Sequence, residues 1–445
     1  MNNKRTDMEY AEMFAKMLRV PTVSGCDQSL FDELHAVMRE IAPDFHKLDL
    51  AKPRNNALVF KWEGKNHDRP MVIMGHQDVV PEGEAEKWTY PPYAGRIEDG
   101  VIYGRGAVDC KSTVFASMMA ADELIAEGFT PEQDVYFCYG DDEEIFGGGA
   151  TAEAKYLSSL GVTPALVIDE GGGMVKQSVA PAMLKSHVGL IGVAEKGSAD
   201  FRFHAYSNGG HSSTPKRGQT PFDKLARFMN YIDTHDVFKR KVLPVVKEML
   251  TEGSKCFKSS FMHWLVKRAY RIVPIVCRAL PAIAGQVAAF FRTTMVFTMA
   301  QGAEVSNSIP DDAWVQANIR YLPGETKEMY VKKLTKIGKK FDVEVEVIDS
   351  REATPIASTQ TPEYKHVCDT ARKTYGEDMA IAPYLVCGAT DCRYMQEICE
   401  NALRFTPFLL SIKEIQLCHA YDERIPVFTL ARGVTFFKNL IADYR

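Results

Sequence analysis

Four short apolar runs, NALVFKW, PMVIMGHQD, DVYFCYGDDEE and PALVIDEGG, each give out into a polar cluster, and a helix-length stretch over residues 113–127 lies among them. Strands of this length alternating with helices predict an α/β fold, a mostly parallel sheet flanked by helices on both faces. In such sheets ligands gather beyond the carboxyl ends of the strands. His76, Glu143 and the Asp169/Glu170 pair all stand where a predicted strand runs out. A further helix is expected from about residue 7 to 20, stopped by PTVSG.

The pattern changes near Gly189. LIGVAEKGSADFRFHAYSNGGHSSTP alternates like an antiparallel strand pair, TPFDKLARFMNYIDTH is helical, and VQANIRYLPG, ETKEMYVKKLTKIGKKF and DVEVEVIDS read strand, helix, strand. These predict a compact α+β unit over residues 190–350, inserted between two parts of a first domain, 1–189 and 351–445. Within it, residues 253–303 hold no acid but seven Lys and Arg, interspersed with Phe261, Trp264, Tyr270, Phe290 and Phe291. The longest uncharged run there, 279–291, is well short of the roughly 20 residues a membrane span needs. This segment is expected to pack on the second domain or at a subunit interface; contact with a membrane surface or an acyl chain is the lesser alternative.

At 445 residues the chain can bury a large core, and a net charge of −5 gives no global reason to bind nucleic acid. Ten cysteines without a CxxC pair read as reduced thiols, and the amino terminus has no basic patch followed by an apolar stretch, so a cytoplasmic protein is expected.

The chemistry concentrates in GHQDVVP (75–81), GRGAVDCKS (104–112) and GDDEEIFGGG (140–149). His76 and Asp78, two apart in extended chain, project to one side, so the Asp can accept the second imidazole N–H and fix the tautomer of a ligating His. A strand-end His bonded to its neighbour without metal would use the same residues. Asp109 sits at a Gly-rich turn before a helix, as an N-cap or as a carboxylate shared by two ions. Four consecutive acids, Asp141 to Glu144, repel one another unless cations are near. They form either a solvated loop or a place where one Glu binds metal and its neighbour takes a proton from water.

Seven ordered motifs, GHQDVVP, GRGAVDCKS, DDEEIFGGG, IDEGG, GGHSSTP, NSIP with ANIRYLPG, and CHAYDER, span nearly the whole chain. In order and spacing it resembles the dizinc metallohydrolase superfamily of aminoacylase, acetylornithine deacetylase and carboxypeptidases G and S. WTYPPYAG, the DEGG ending and the long insertion are most similar to the carboxypeptidase S branch, which includes N-acyl amino acid hydrolases.

The resemblance implies two Zn2+, with Co2+ or Mn2+ as substitutes, bridged by Asp109. His76 would join one ion together with Asp169, slightly preferred over Glu170, and Glu144 and His419 would hold the other. Glu143 would be the general base, Asp78 would orient His76, and the Asp109–Cys110 peptide would be cis. His211 would reach a neighbouring subunit's site in a homodimer and stabilise the oxyanion. Asn307, Arg320 and Arg393 would hold the substrate's carbonyl and carboxylate, the guanidinium groups suiting the latter bidentately. Either Arg in an ordinary ion pair is the alternative. Departures are Asp141 where relatives have His, Ser112 where they have Gly, and GATDCR for a GGTD run. The activity implied is cleavage of an amide beside a free carboxylate in small peptides or N-acyl amino acids. A dipeptidase of the same chemistry and a non-catalytic metal-stabilised binding protein remain the alternatives.

Overall fold

The computed structural model describes residues 5–272 and 288–445. After helices Asp7–Leu18 and Gln28–Ile41 come β1 (Asp49–Arg54), β2 (Ala57–Trp62), β3 (Asn66–His76) and the short β4 (Arg96–Glu98) and β5 (Val101–Tyr103). Helix Lys111–Ala126, β6 (Gln133–Gly140), helix Gly149–Ser159, β7 (Leu166–Asp169), β8 (Gly173–Val175) and β9 (Val188–Glu195) follow. A second unit holds β10 (Gly197–Tyr206), β11 (Gly210–His211), helix Pro221–Thr234, β12 (Thr294–Gln301), β13 (Ser308–Ile309), β14 (Asp312–Tyr321), helix Lys327–Gly338 and β15 (Glu344–Arg351). The chain then closes with helix Pro362–Tyr375, β16 (Ala380–Val386), β17 (Ala402–Arg404), β18 (Leu409–Leu410), β19 (Arg424–Pro426) and helix Val427–Ala442.

Ten strands form the large sheet, in the order β1-β2-β6-β3-β7-β17-β9-β8-β18 with β16 beside β9. Its centre, β6-β3-β7-β17, is parallel, and antiparallel pairs extend it on both sides. Every residue of β6 and the last seven of β3 are buried. Strands covered on both faces show as unbroken apolar runs rather than alternation, which is why PMVIMG and DVYFCYG stand out in the sequence. Each apolar side chain so buried contributes about 2 kcal/mol.

The second sheet, β12-β14-β10-β15, is wholly antiparallel. β14 alternates intermediate and buried residues along its whole length, the signature of a sheet covered on one face. Its own core, including Phe201, Phe203, Phe228 and Ile319, is separate from that of the large sheet.

Two expectations are corrected. Residues 188–206 are not a strand pair: β9 belongs to the large sheet, β10 to the small one, and the chain passes between them at the buried Lys196. Gly197 permits this crossing, since a Cβ there would lie 2.1 Å from the Tyr321 ring. The basic-apolar segment also leans the other way. Phe291 belongs to the core of the large sheet with Tyr270 and Phe290 packed against it, Cys256 clusters with Leu184 and Ala380, and Leu184 bridges to Phe257; helix Pro244–Gly253, just before the segment, packs on β16. The end of the segment is β12, the outer strand of the small sheet. Residues 273–287 lie outside the described residues. Among the described residues, no helix is long and apolar enough to cross a membrane.

His35, buried in helix Gln28–Ile41, places Nε2 2.7 Å from Gln77 Oε1, and burial pushes its pKa down to about 4. The unfolded chain, with His near 6.5, binds the proton first. Stability from neutral His35 is therefore full above about pH 6.5 and lost as pH falls towards about 4. Thermal melts in chelator should show a smaller loss between pH 7 and pH 4.5 for His35→Gln than for the native chain; parallel curves would contradict this.

Candidate metal centre

His76 closes β3 with its side chain buried. Its Nδ1 donates to the Asp78 carbonyl at 3.0 Å and lies 3.3 Å from Asp78 Oδ1, so Nε2 is left facing outward. That nitrogen is 3.0 Å from Asp109 Oδ1 and 3.2 Å from Glu170 Oε1. Across the Asp109 carboxylate, His419 Nε2 lies 3.1 Å from Oδ2 and 3.0 Å from Glu144 Oε2. Two His-carboxylate groups thus meet on one Asp. The Asp109–Cys110 peptide is cis, as expected.

Glu170, not the preferred Asp169, faces His76. Adjacent residues at a strand end point to opposite faces, and Asp169 is turned to accept the Cys392 amide at 2.7 Å, bracing the 390–392 turn. The two acids therefore divide between support and site.

The four-acid run divides as well. Asp141 accepts the Asn56 amide at 2.9 Å, and Asp142 accepts those of Gly148 and Gly149, each at 2.9 Å. A Cβ at Gly147 would lie 1.9 Å from Asp142, so the glycines serve close approach to this carboxylate. Asp78 supports the next two acids: its oxygens accept the amides of Glu143 and Glu144, both at 3.2 Å, and the Ser24 hydroxyl at 2.6 Å. Burial alone would raise the Asp78 pKa; its bonds to His76, Ser24 and the Glu144 amide outweigh that and lower it. Asp78 thus orients His76 and also holds the Glu143–Glu144 turn.

Charge is concentrated here. Burial pushes the Glu143 carboxyl well above the ordinary carboxylate range, with Glu170, Asp391 and Asp109 adding to the rise. Glu170 is raised chiefly by burial and then by Asp109. Asp109 goes the other way: His419 and His76 overcome its burial and hold it well below the ordinary range. Bonds to Asp109, Cys418 and Glu144 raise the His419 imidazole. Glu144 Oε1 is buried without a hydrogen-bond partner.

Four supporting residues were missed in the sequence. Glu423 is buried and accepts the amides of Val108 at 2.7 Å and Asp109 at 3.1 Å, while pairing with buried Arg105 at 2.7 Å. Arg105 also donates to the Ala420 carbonyl at 3.2 Å, tying the His419 loop to the Asp109 turn. Both lie inside quoted motifs, GRGAVD and DER, and a buried charge pair leaves no periodic signal. Cys110 Sγ accepts the His76 amide at 3.1 Å, and Cys418 Sγ lies 2.9 Å from Asp109 Oδ2. Burial pushes both thiols up, Cys418 to about 12, so they stay protonated beside the carboxylates.

Elsewhere the expected site residues are dispersed. His211 ends β11 opposite Ser308, and Asn307, just before β13, accepts the Ser212 amide on its carbonyl at 2.9 Å. His211 is exposed, its Nδ1 2.8 Å from Ser213 Oγ; none of its described bonds reaches the His76–His419 cluster. Arg393 is occupied, donating to the Glu352 carbonyl at 2.6 Å and lying 3.5 Å from buried Glu195. Arg320 on β14 donates to Asn318 Oδ1 at 3.0 Å and, among the described residues, has no carboxylate within 4.0 Å. Of the two guanidinium groups, Arg393 is thus the one already held beside a carboxylate.

Replacing Glu423 with Gln leaves the Arg105 guanidinium buried without its counter-charge, a change that typically costs about 3 kcal/mol or more. Urea unfolding should show that loss, and the Arg105→Met/Glu423→Leu double variant should recover a large part of it; an unchanged midpoint for Glu423→Gln would contradict this role.

Comparison with known proteins places the chain in a family. The profile of peptidase family M20/M25/M40 matches residues 72–443. The chain is 29% identical to a probable carboxypeptidase S-like 2 of Dictyostelium discoideum, over 98% of this chain and 85% of that one. It is 26% identical to the N-fatty-acyl-amino acid synthase/hydrolase PM20D1 of Xenopus tropicalis, over 98% and 86% of the two chains. Among solved structures, an M20 family metallo-carboxypeptidase of Sulfolobus solfataricus superposes with a TM-score of 0.69 at 17% identity, covering 97% of this chain and 98% of that one. The chain is a hydrolase that belongs to peptidase family M20/M25/M40.

Proposed function

We propose that this chain is a two-zinc hydrolase that cleaves an amide or peptide bond beside a free carboxylate, in N-acyl amino acids or small peptides. The observation that carries the reading is the shared Asp109 carboxylate, one oxygen toward His76 and Glu170 and the other toward His419 and Glu144. Two imidazoles and three carboxylates are borderline-to-hard donors that suit zinc. The partnerless, buried Glu144 Oε1 and the crowding of acids fit a pair of cations as well. His76, Glu170 and Asp109 would hold one ion, and His419, Glu144 and Asp109 the other. Ions bound there would polarise the scissile carbonyl and acidify the attacking water.

The chain's own residues supply the rest. Glu143, a ligand to neither group, takes the proton of the attacking water and returns it to the departing amine; its burial and acidic neighbours favour holding that proton. Asp78 keeps Glu143 and Glu144 in register through their amides. Arg320 receives the substrate carboxylate, and Asn307 its carbonyl. His211, exposed on the second unit, stabilises the oxyanion in the site of a partner subunit within a homodimer. Ile145 and Phe146, exposed immediately after Glu144, favour an apolar acyl group or side chain at the mouth of the site. Relatives whose names carry carboxypeptidase S and N-fatty-acyl-amino acid hydrolysis support this substrate class.

Glu143→Gln should keep the native metal content while turnover of an N-acyl amino acid falls by about a thousandfold. The same substrate with its carboxylate esterified should be cleaved poorly by the native enzyme. Unchanged turnover in the variant would remove Glu143 from the mechanism, and equal cleavage of the ester would remove the carboxylate requirement.

A further inference from the structure

Helix Ser260–Lys267, sequence SFMHWLVK, has no buried residue, although five of its eight side chains are apolar. A helix of this composition normally serves as core. Here Phe261 and Trp264 are 66% and 51% exposed, their rings stacked with centroids 6.3 Å apart and planes 18° from parallel. The surface continues onto the first part of the chain, where the Lys258 amide donates to the carbonyl of the exposed Met183 at 2.8 Å.

Cations flank these rings along the chain. Lys258, Lys267 and Arg271 are exposed, and the Arg268 guanidinium lies 5.0 Å from the centre of the Trp264 ring. Glu252, the nearest acid along the chain, is paired with Lys255 at 2.5 Å. Among the described residues, no carboxylate lies within 4.0 Å of Lys258, Lys267, Arg268 or Arg271. The chain as a whole carries a net charge of −5, so this basic surface runs against the overall balance. An anionic plane would be repelled by much of the molecule and attracted here, which fixes one orientation of approach.

We propose that helix Ser260–Lys267 and its flanking cations form a docking surface for an anionic lipid membrane. Phe261 and Trp264 insert at the headgroup level, where aromatic rings are favoured, while Lys258, Lys267 and Arg271 meet lipid phosphates. The helix lies on the interface and does not span it. Stacked projecting rings beside cations that, among the described residues, lack a carboxylate partner suit a fluid, negatively charged surface better than a rigid partner, which would need complementary pockets and acids. The inference is independent of the substrate reading above.

The test is co-sedimentation of the full chain with vesicles of equal parts phosphatidylglycerol and phosphatidylcholine, against pure phosphatidylcholine, at low and high salt. The native chain should bind the anionic vesicles alone, release with salt, and show a blue shift in fluorescence that Trp264→Ser removes. Phe261→Ser/Trp264→Ser should abolish binding, and Lys258→Gln/Lys267→Gln/Arg271→Gln should weaken it by about a hundredfold, from roughly a fivefold contribution per cation. Thermal melts and hydrolysis of a soluble substrate should match the native chain in both variants, which separates loss of docking from misfolding. No binding to anionic vesicles, equal binding to neutral ones, or undiminished binding by Phe261→Ser/Trp264→Ser would each overturn the proposal. So would light scattering that shows these substitutions breaking a native dimer while vesicles are ignored, which would assign the surface to self-association.

Discussion

A single carboxylate joins distant parts of this chain. Asp109 offers Oδ1 to His76 at 3.0 Å and Oδ2 to His419 at 3.1 Å, and each imidazole faces a further Glu. Burying that many ionisable groups in one place is costly unless their charges are balanced by protons or cations. The opposite pulls on Asp109 and Glu170, one lowered and the other raised, show how the protein balances them with protons. The same donor set suits divalent ions, and the proposed function rests on that exchange.

Much of the surrounding structure serves to hold this carboxylate and its neighbours still. Glu423 accepts two amides of the Asp109 turn and pairs with Arg105, which in turn reaches the loop carrying His419. Asp78 performs the matching task on the other side, linking His76 to the amides of Glu143 and Glu144. Both supports are carboxylates accepting backbone N–H groups in a low-dielectric setting, where such bonds are strong and directional. The parallel centre of the large sheet brings β3, β6 and β7 into register so that all three deliver their acids and His at one edge.

The sequence was most legible where local periodicity and tertiary role coincide. Doubly buried strands show as unbroken apolar runs, and their ends gave His76, Glu143 and Glu144. The alternating pattern of β10 and β14 likewise marked a second, one-sided sheet. Features decided by single-residue orientation were hidden. Asp169 and Glu170 are both acids at one strand end, and only the pleat decides which faces His76. Arg393 looks as free as Arg320 in sequence, but a buried Glu195, almost 200 residues away, occupies it. Period-two alternation continues across Lys196, so the passage of the chain from one sheet to the other left no mark. The basic-apolar segment 253–303 could not be assigned to a sheet because apolar residues do not name their partner.

In the proposed function two metal sites share Asp109, and His419, from the last part of the chain, completes the second. Elemental analysis of purified protein, native and with His419→Ala or Asp109→Asn, tests it directly. Two ions per native chain are expected, one retained in His419→Ala, and neither held tightly in Asp109→Asn. A native chain that saturates with one ion, or a His419→Ala protein that still retains two, would contradict it.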